Sequence, residues 1–173
     1  MRGFPALLSV FVIATLAHGC GYTTRPPYPA HIHTVYVAPF ESDATRRDFE
    51  FQLTRELIAE IERSTPFKVV HRPELADSIL EGRVRYIDKK VRVENPDNEP
   101  RQIQLTAGLD VIWRDRRTGE TLRKIQVGSG AGTVRVEQSV LYAPELGQSY
   151  ATATTHLARR LARQIVAMME EPW

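Results

Sequence analysis

Cysteine is almost missing from this chain: its 173 residues contain one, Cys20. No intrachain disulfide can form, and one thiol is too few for a cysteine-built zinc site. An excess of one charge is also lacking. Lys and Arg number 23 against 21 Asp and Glu, a formal +2, where a nucleic-acid-binding domain would show a clear basic surplus. A long apolar run occurs in one place only, residues 6–16, and even there Ser9 and Thr15 interrupt it. That run is shorter than the roughly 20 residues needed to cross a bilayer as a helix. No serine, histidine and acid fall into a recognisable nucleophile motif, and no histidine–acid cluster has metal-ligand spacing. The expectation is a protein with no catalytic residues, no metal, no cofactor and no nucleic-acid partner.

What is present at the N-terminus accounts for the cysteine. Arg2 supplies a positive charge, the apolar run follows, and small residues lead through Ala17, His18 and Gly19 to Cys20. This is the layout of a secretory signal over residues 1–19, and its end resembles a lipobox, at which the chain is cut just before a lipidated cysteine. Lipid attachment at Cys20 would explain an odd thiol in an exported chain, and would hold the protein to a membrane. Among lipoproteins of two-membrane bacteria, an aspartate after that cysteine commonly retains the protein at the inner membrane. Here the residue is Gly21, so the outer membrane is the expected destination. Removing residues 1–19 leaves 154 and takes Arg2 with it, lowering the formal charge to +1. That length suits one domain with a single core.

Residues 20–33 read as the lipidated cysteine and a tether, since Pro26, Pro27 and Pro29 favour extended backbone with little packing. His31 and His33 share a strand face there, but two histidines with no other ligand type nearby fall short of a zinc site. A single domain is expected over 34–173. Residues 34–40 (TVYVAPF) form a β-branched and aromatic strand, with Ser42 and Asp43 as possible caps for the helix that follows. Over 45–63, Phe49, Leu53, Leu57 and Ile61 recur every four residues with Phe51 and Ile58 beside them, which predicts an amphipathic helix. The acids Asp48, Glu50, Glu56 and Glu60 read as its solvated side. Pro66 ends it. Residues 67–70 predict a second strand and 73–78 a turn or short helix.

A longer strand is expected over 79–90, with Leu80, Val84 and Tyr86 on one face and Glu81, Arg83 and Arg85 on the other. Its apolar phase then switches to Ile87, Val91 and Val93, the sign of a bulge or of an overhang past the sheet. Residues 95–100 make a turn, and 104–113 alternate again through Leu105, Ala107, Leu109, Val111 and Trp113. A hairpin turn over 115–119 leads to a returning strand at 122–128. Residues 128–138 show no assignable pattern. Gly128, Gly130 and Gly132 alternate without the lysine or helix start of a phosphate loop, so they read as loop. The final helix carries Leu146, Tyr150, Ala153, Leu157, Leu161, Ile165 and Met168 in one stripe, with Arg159, Arg160 and Arg163 away from it. The order β-α-β-β-β-β-α predicts an α+β two-layer sandwich, a mostly antiparallel sheet with two amphipathic helices on one face.

These residues together resemble a family. Cys20-Gly21-Tyr22, the strand at 35–40, the helix end Ile61-Glu62-Arg63-Ser64 and the strand entrance Ala76-Asp77-Ser78-Ile79-Leu80-Glu81-Gly82 are similar to the LPS-assembly lipoprotein family LptE. So is the last helix, with Ala158, Leu161, Ile165 and the terminal Trp173. The resemblance implies a non-catalytic outer-membrane protein that sits in the LptD β-barrel, assists its assembly and helps deliver lipopolysaccharide. Because lipopolysaccharide carries phosphates, cationic side chains at a sheet end become candidate contacts: Arg83, Arg85, Lys89, Lys90 and Arg92, with Arg83, Arg85 and Lys89 expected on one strand face. The strand–helix–strand opening and the Ala-Asp-x-x-Leu-x-Gly pattern are also similar to the periplasmic domain of curli-secretion lipoproteins such as CsgG. That alternative implies an accessory of another envelope transport or secretion system, though such proteins add membrane-spanning hairpins and a longer chain.

Overall fold

The computed structural model describes residues 28–42, 48–97, 99–122 and 133–170. The expected signal, Cys20, most of the tether, Asp43 and the three alternating glycines lie outside that set. The described chain runs β1 (Thr34–Val37), β2 (Glu41–Ser42), α1 (Asp48–Ser64), β3 (Lys68–Val69), β4 (Ser78–Glu94), β5 (Pro100–Asp115), β6 (Val134–Tyr142) and α2 (Tyr150–Met168). Single 3-10 turns at Pro73–Leu75 and Pro144–Leu146 precede β4 and α2.

The sheet order is β3-β1-β4-β5-β6, with β2 pairing beside β4. The three long strands β4, β5 and β6 are antiparallel neighbours. The short strands β1, β2 and β3 pair in parallel. A parallel pair needs a crossover, and α1 supplies it between β1 and β3. The architecture is the expected α+β sandwich, with a mixed sheet.

Both helices form for the reasons their spacing predicts. Phe49, Leu53, Leu57 and Ile61 of α1 are buried, and Asp48 and Glu50 complement the positive end of the helix. In α2, Ser149 caps the start by accepting the Thr152 N–H at 3.1 Å. Ala153, Leu157, Ala158, Leu161, Ala162, Ile165 and Val166 then face the core. The two helices pack on each other, and α2 lies against β5 and β6. Phe51, beside the α1 stripe, is instead 71% exposed.

Other expectations change. Ser42 is a strand residue, paired with Val84, and not a helix cap. Leu146 lies in the 3-10 turn and is exposed, because Ser149 starts the helix after it. Of the strand expected at 122–128, residues 123–128 lie outside the described set; within that set the return is one bridge, Arg114 to Thr121. The ladder beside β5 is built by β6, where Val134, Val136, Val140 and Tyr142 are buried. Finally, the end of the tether packs. Ile32 is buried in the core, and the Tyr28 ring meets Phe67 edge-on at 5.1 Å.

Candidate functional site

The segment Ala76-Asp77-Ser78-Ile79-Leu80-Glu81-Gly82 is the hub that holds β1 to the sheet. Asp77 Oδ2 accepts the N–H groups of His33 and Thr34 and the Thr34 hydroxyl, all at 2.9 Å. Those bonds, the His33 N–H first, hold the Asp77 carboxyl below its ordinary range. Ser78 is fully buried, and its hydroxyl accepts the Trp113 indole N–H at 3.0 Å. Leu80 enters the core, and Gly82 leaves room for the Phe40 ring. This spacing is therefore structural in every polar position.

From that hub β4 carries the five candidate cations. Directly paired residues share a face of the sheet. Leu80 stands opposite Trp113 and Val84 opposite Leu109, on the helix side. Arg83 stands opposite Asp110 on the outer side. A register shift between Val84 and Tyr86 makes Arg85 an extra residue and turns Tyr86 outward, opposite Gly108. The expected phase switch is present, but it starts at Arg85, so Tyr86 does not share the face of Leu80 and Val84. Its ring covers Gly108, where a Cβ would meet it at 2.5 Å. Its hydroxyl donates to the Glu137 carboxylate, which pushes the phenol up to about 12.

The same bulge separates the cations. Arg83 and Arg85 face outward, whereas Lys89 pairs with Leu105 and so lies on the helix side. Arg83, Arg85 and Lys89 therefore do not share a face. Lys90 pairs with Gln104 on the outer side, and Arg92 donates to Gln104 Oε1. A second shift at Arg92 sets Val93 opposite Gln102, away from the face of Val91.

Carboxylates meet the arginines nearest the hub. Arg83 pairs with Glu41 at 2.5 Å, and Asp110 lies between Arg85 at 3.5 Å and Arg135 at 3.1 Å. Arg114 pairs with Glu81 at 2.6 Å. The outer face is thus a lattice of opposite charges. These partners, Glu41, Asp110 and Glu137, went unread in the sequence; the one available signal was Asp110 at an outward position of an alternating strand. Ala38, Pro39, Gly82 and Ile112 line an open cavity of about 420 Å³ among the charged groups. Farther along, residues 88–94 are all exposed, and among the described residues Lys89 and Lys90 make no ion pair. The histidines are apart in role: His31 Nε2 lies 3.5 Å from Asp115 Oδ2, and His33 contributes its backbone N–H to Asp77. Among the described residues no group of three His, Cys, Asp or Glu is placed to hold a metal, and no helix is long and apolar enough to cross a membrane.

The LptE family model, described as lipopolysaccharide-assembly, matches residues 32–169. The chain belongs to that family. Its match begins at Ile32 and ends at Met169, the first and last buried residues among those described. No curated protein matches the chain. Among solved structures, the PelC dodecamer from Paraburkholderia phytofirmans is similar, with a TM-score of 0.54 and 12% identity over 85% of this chain and 96% of that one. Lipoprotein B from Nitrosomonas europaea superposes with a TM-score of 0.52 and 16% identity, covering 86% of this chain and 88% of its own. Protein CT253 from Chlamydia trachomatis gives 0.53 and 12%, covering 79% and 94%. At such identities these structures establish a shared fold.

Proposed function

We propose that this family member is a lipid-anchored outer-membrane lipoprotein that partners an LptD-type β-barrel and assists lipopolysaccharide assembly without turnover of its own. The family match over the whole folded domain carries the reading. Lipid attachment at Cys20, after removal of residues 1–19, supplies the anchor.

The geometry supports an orientation. Tyr28 bonds to Ser64 and Glu170, at the ends of both helices, and His31 meets Asp115 at the end of β5. The tether thus enters at one pole. Only residues 21–27 separate Cys20 from Tyr28 at that pole, a reach of at most about 28 Å. The far end of β4 lies at the other pole, and a strand of 17 residues spans about 55 Å. In the orientation we propose, the basic segment points away from the bilayer that holds the lipid. That suits a contact inside a partner or with cargo, and it fits the polar lumen of a large barrel.

Arg83, Arg85, Lys89, Lys90 and Arg92 remain the candidate contacts for lipopolysaccharide phosphates. Lys90 and Arg92 share the outer face and are exposed. Ion pairs as open as that of Arg83, which is half exposed, contribute only about 0–1 kcal/mol. A phosphate can displace such a carboxylate at little cost.

Affinity purification of the tagged protein from outer membranes tests the main reading. A large β-barrel recovered in equal amount is the expected result; its absence under conditions that preserve barrels would reject the partnership.

A further inference from the structure

We propose that the free edge of β4 at residues 88–92 receives an extended segment of a partner protein as an added strand, one bearing acidic residues on one side and apolar residues on the other. The inference uses the orientation proposed above to place the partner away from the membrane, but the edge itself is independent of that reading.

β4 is far longer than its neighbours on the β1 side. It pairs with β1 through Leu80 and with β2 at Arg83 and Val84. Beyond Val84, no described residue pairs with that side, although β5 continues along the other side to Glu94. Every residue from 88 to 94 is exposed. Alternate backbone N–H and C=O groups of such a strand point sideways, and among the described residues no ladder joins them. An added strand satisfies them and takes its specificity from side chains on each face.

The side chains define the occupant. On the outer face a new strand would run beside Asp88, Lys90 and Arg92, two cations to one acid, and acidic residues are favoured beside the two cations. On the helix face it would run beside Val91, which is 38% exposed, and near the half-buried Ile87; apolar residues suit those positions. A second copy of this chain fits poorly. Antiparallel self-pairing centred here would bring Lys89, Lys90 and Arg92 of two molecules together, and like charges opposite one another are destabilising. The cations and the bulge at Arg92 guard this edge against indiscriminate pairing and leave an acidic strand as the one that gains. Phosphate contacts by Lys90 and Arg92 would approach along the sheet normal, whereas the added strand approaches in the plane of the sheet.

The test uses the full-length protein in detergent and a short peptide alternating valine and glutamate. Binding is read by fluorescence anisotropy, and hydrogen exchange reports on residues 88–92. Saturable binding with slowed exchange in that segment is expected. The double variant Lys90→Glu, Arg92→Glu should weaken binding at least about tenfold while leaving exchange in α1 and α2 unchanged. A peptide N-methylated at alternate amides, with the same charges, should lose binding. Equal binding by that peptide would show a charged surface without strand addition, and would overturn the proposal. So would full displacement by inorganic pyrophosphate, self-association through this segment, or exchange that stays fast at saturation. None of these outcomes bears on barrel recovery from membranes, so the two readings fail separately.

Discussion

The ring of Phe40 occupies the space that a side chain at Gly82 would need: a Cβ there would stand 2.1 Å from Phe40 Cε1. Phe40 is buried in the core at the turn between β1 and β2, so it has little freedom to withdraw. Gly82→Ala should therefore lower stability by about 1–3 kcal/mol through overpacking. In a Phe40→Ala background the same change should cost much less. A double-mutant cycle from denaturation midpoints checks the coupling, and additive losses would separate the two residues.

Leu53 and Leu57 of α1 and Leu157 and Leu161 of α2 are all fully buried. Truncating any one to alanine should cost about 2–5 kcal/mol, measured by urea unfolding. Phe51→Ala, on the exposed side of α1, should change stability by less than about 0.5 kcal/mol. The contrast between Phe51 and Leu53 is the sharper check, since both are apolar and two residues apart.

Asp77 gives the fold a defined acid response. Its carboxyl is held below the ordinary value by the His33 N–H and then by Thr34. A depressed carboxylate contributes stability that is present above the unfolded pKa and lost as pH falls through the folded one. Asp77→Asn should destabilise the domain at neutral pH, and the gap from the wild type should close as pH drops below about 4. A gap that stays constant into acid would mean that the charge contributes nothing.

Tyr86 responds at the other end of the scale. Its phenol, bonded to Glu137 and pushed to about 12, should ionise late in an ultraviolet titration of the folded protein. Because the folded pKa is raised, its contribution is complete below about 10 and is lost as pH rises through the folded value. Tyr86→Phe should remove one late-titrating tyrosine. Loss of an early one would show that the Glu137 bond does not form in solution.

Cys20→Ala should prevent acylation and move the protein from the membrane fraction to the soluble one in cells lacking the barrel partner. Retention of that variant in a detergent-extractable fraction would refute a lipid anchor as the sole attachment.

Both helices were legible in the amino-acid sequence because helical periodicity is local: Leu53 and Leu57, or Leu157 and Leu161, lie four residues apart and must share a face. The alternation of β5 was legible for the same reason, and so was the α+β class. Charge balance and the lone Cys20 shaped the functional expectations without any fold. What the tertiary structure decided concerns partners distant in the chain. Strand β6 was missed although Val134, Val136, Val140 and Tyr142 alternate, because the glycines before them carry no pattern and only the ladder with β5 identifies the strand. The bulge at Arg85 is set by pairing with β5, where Gly108 accommodates the Tyr86 ring, and a shift of one residue reverses every face beyond it. That shift moved Lys89 to the helix side and left Lys90 and Arg92 outward. The pairing of Arg83 with Glu41 and of Arg85 with Asp110 likewise joins residues that only the folded sheet brings within reach.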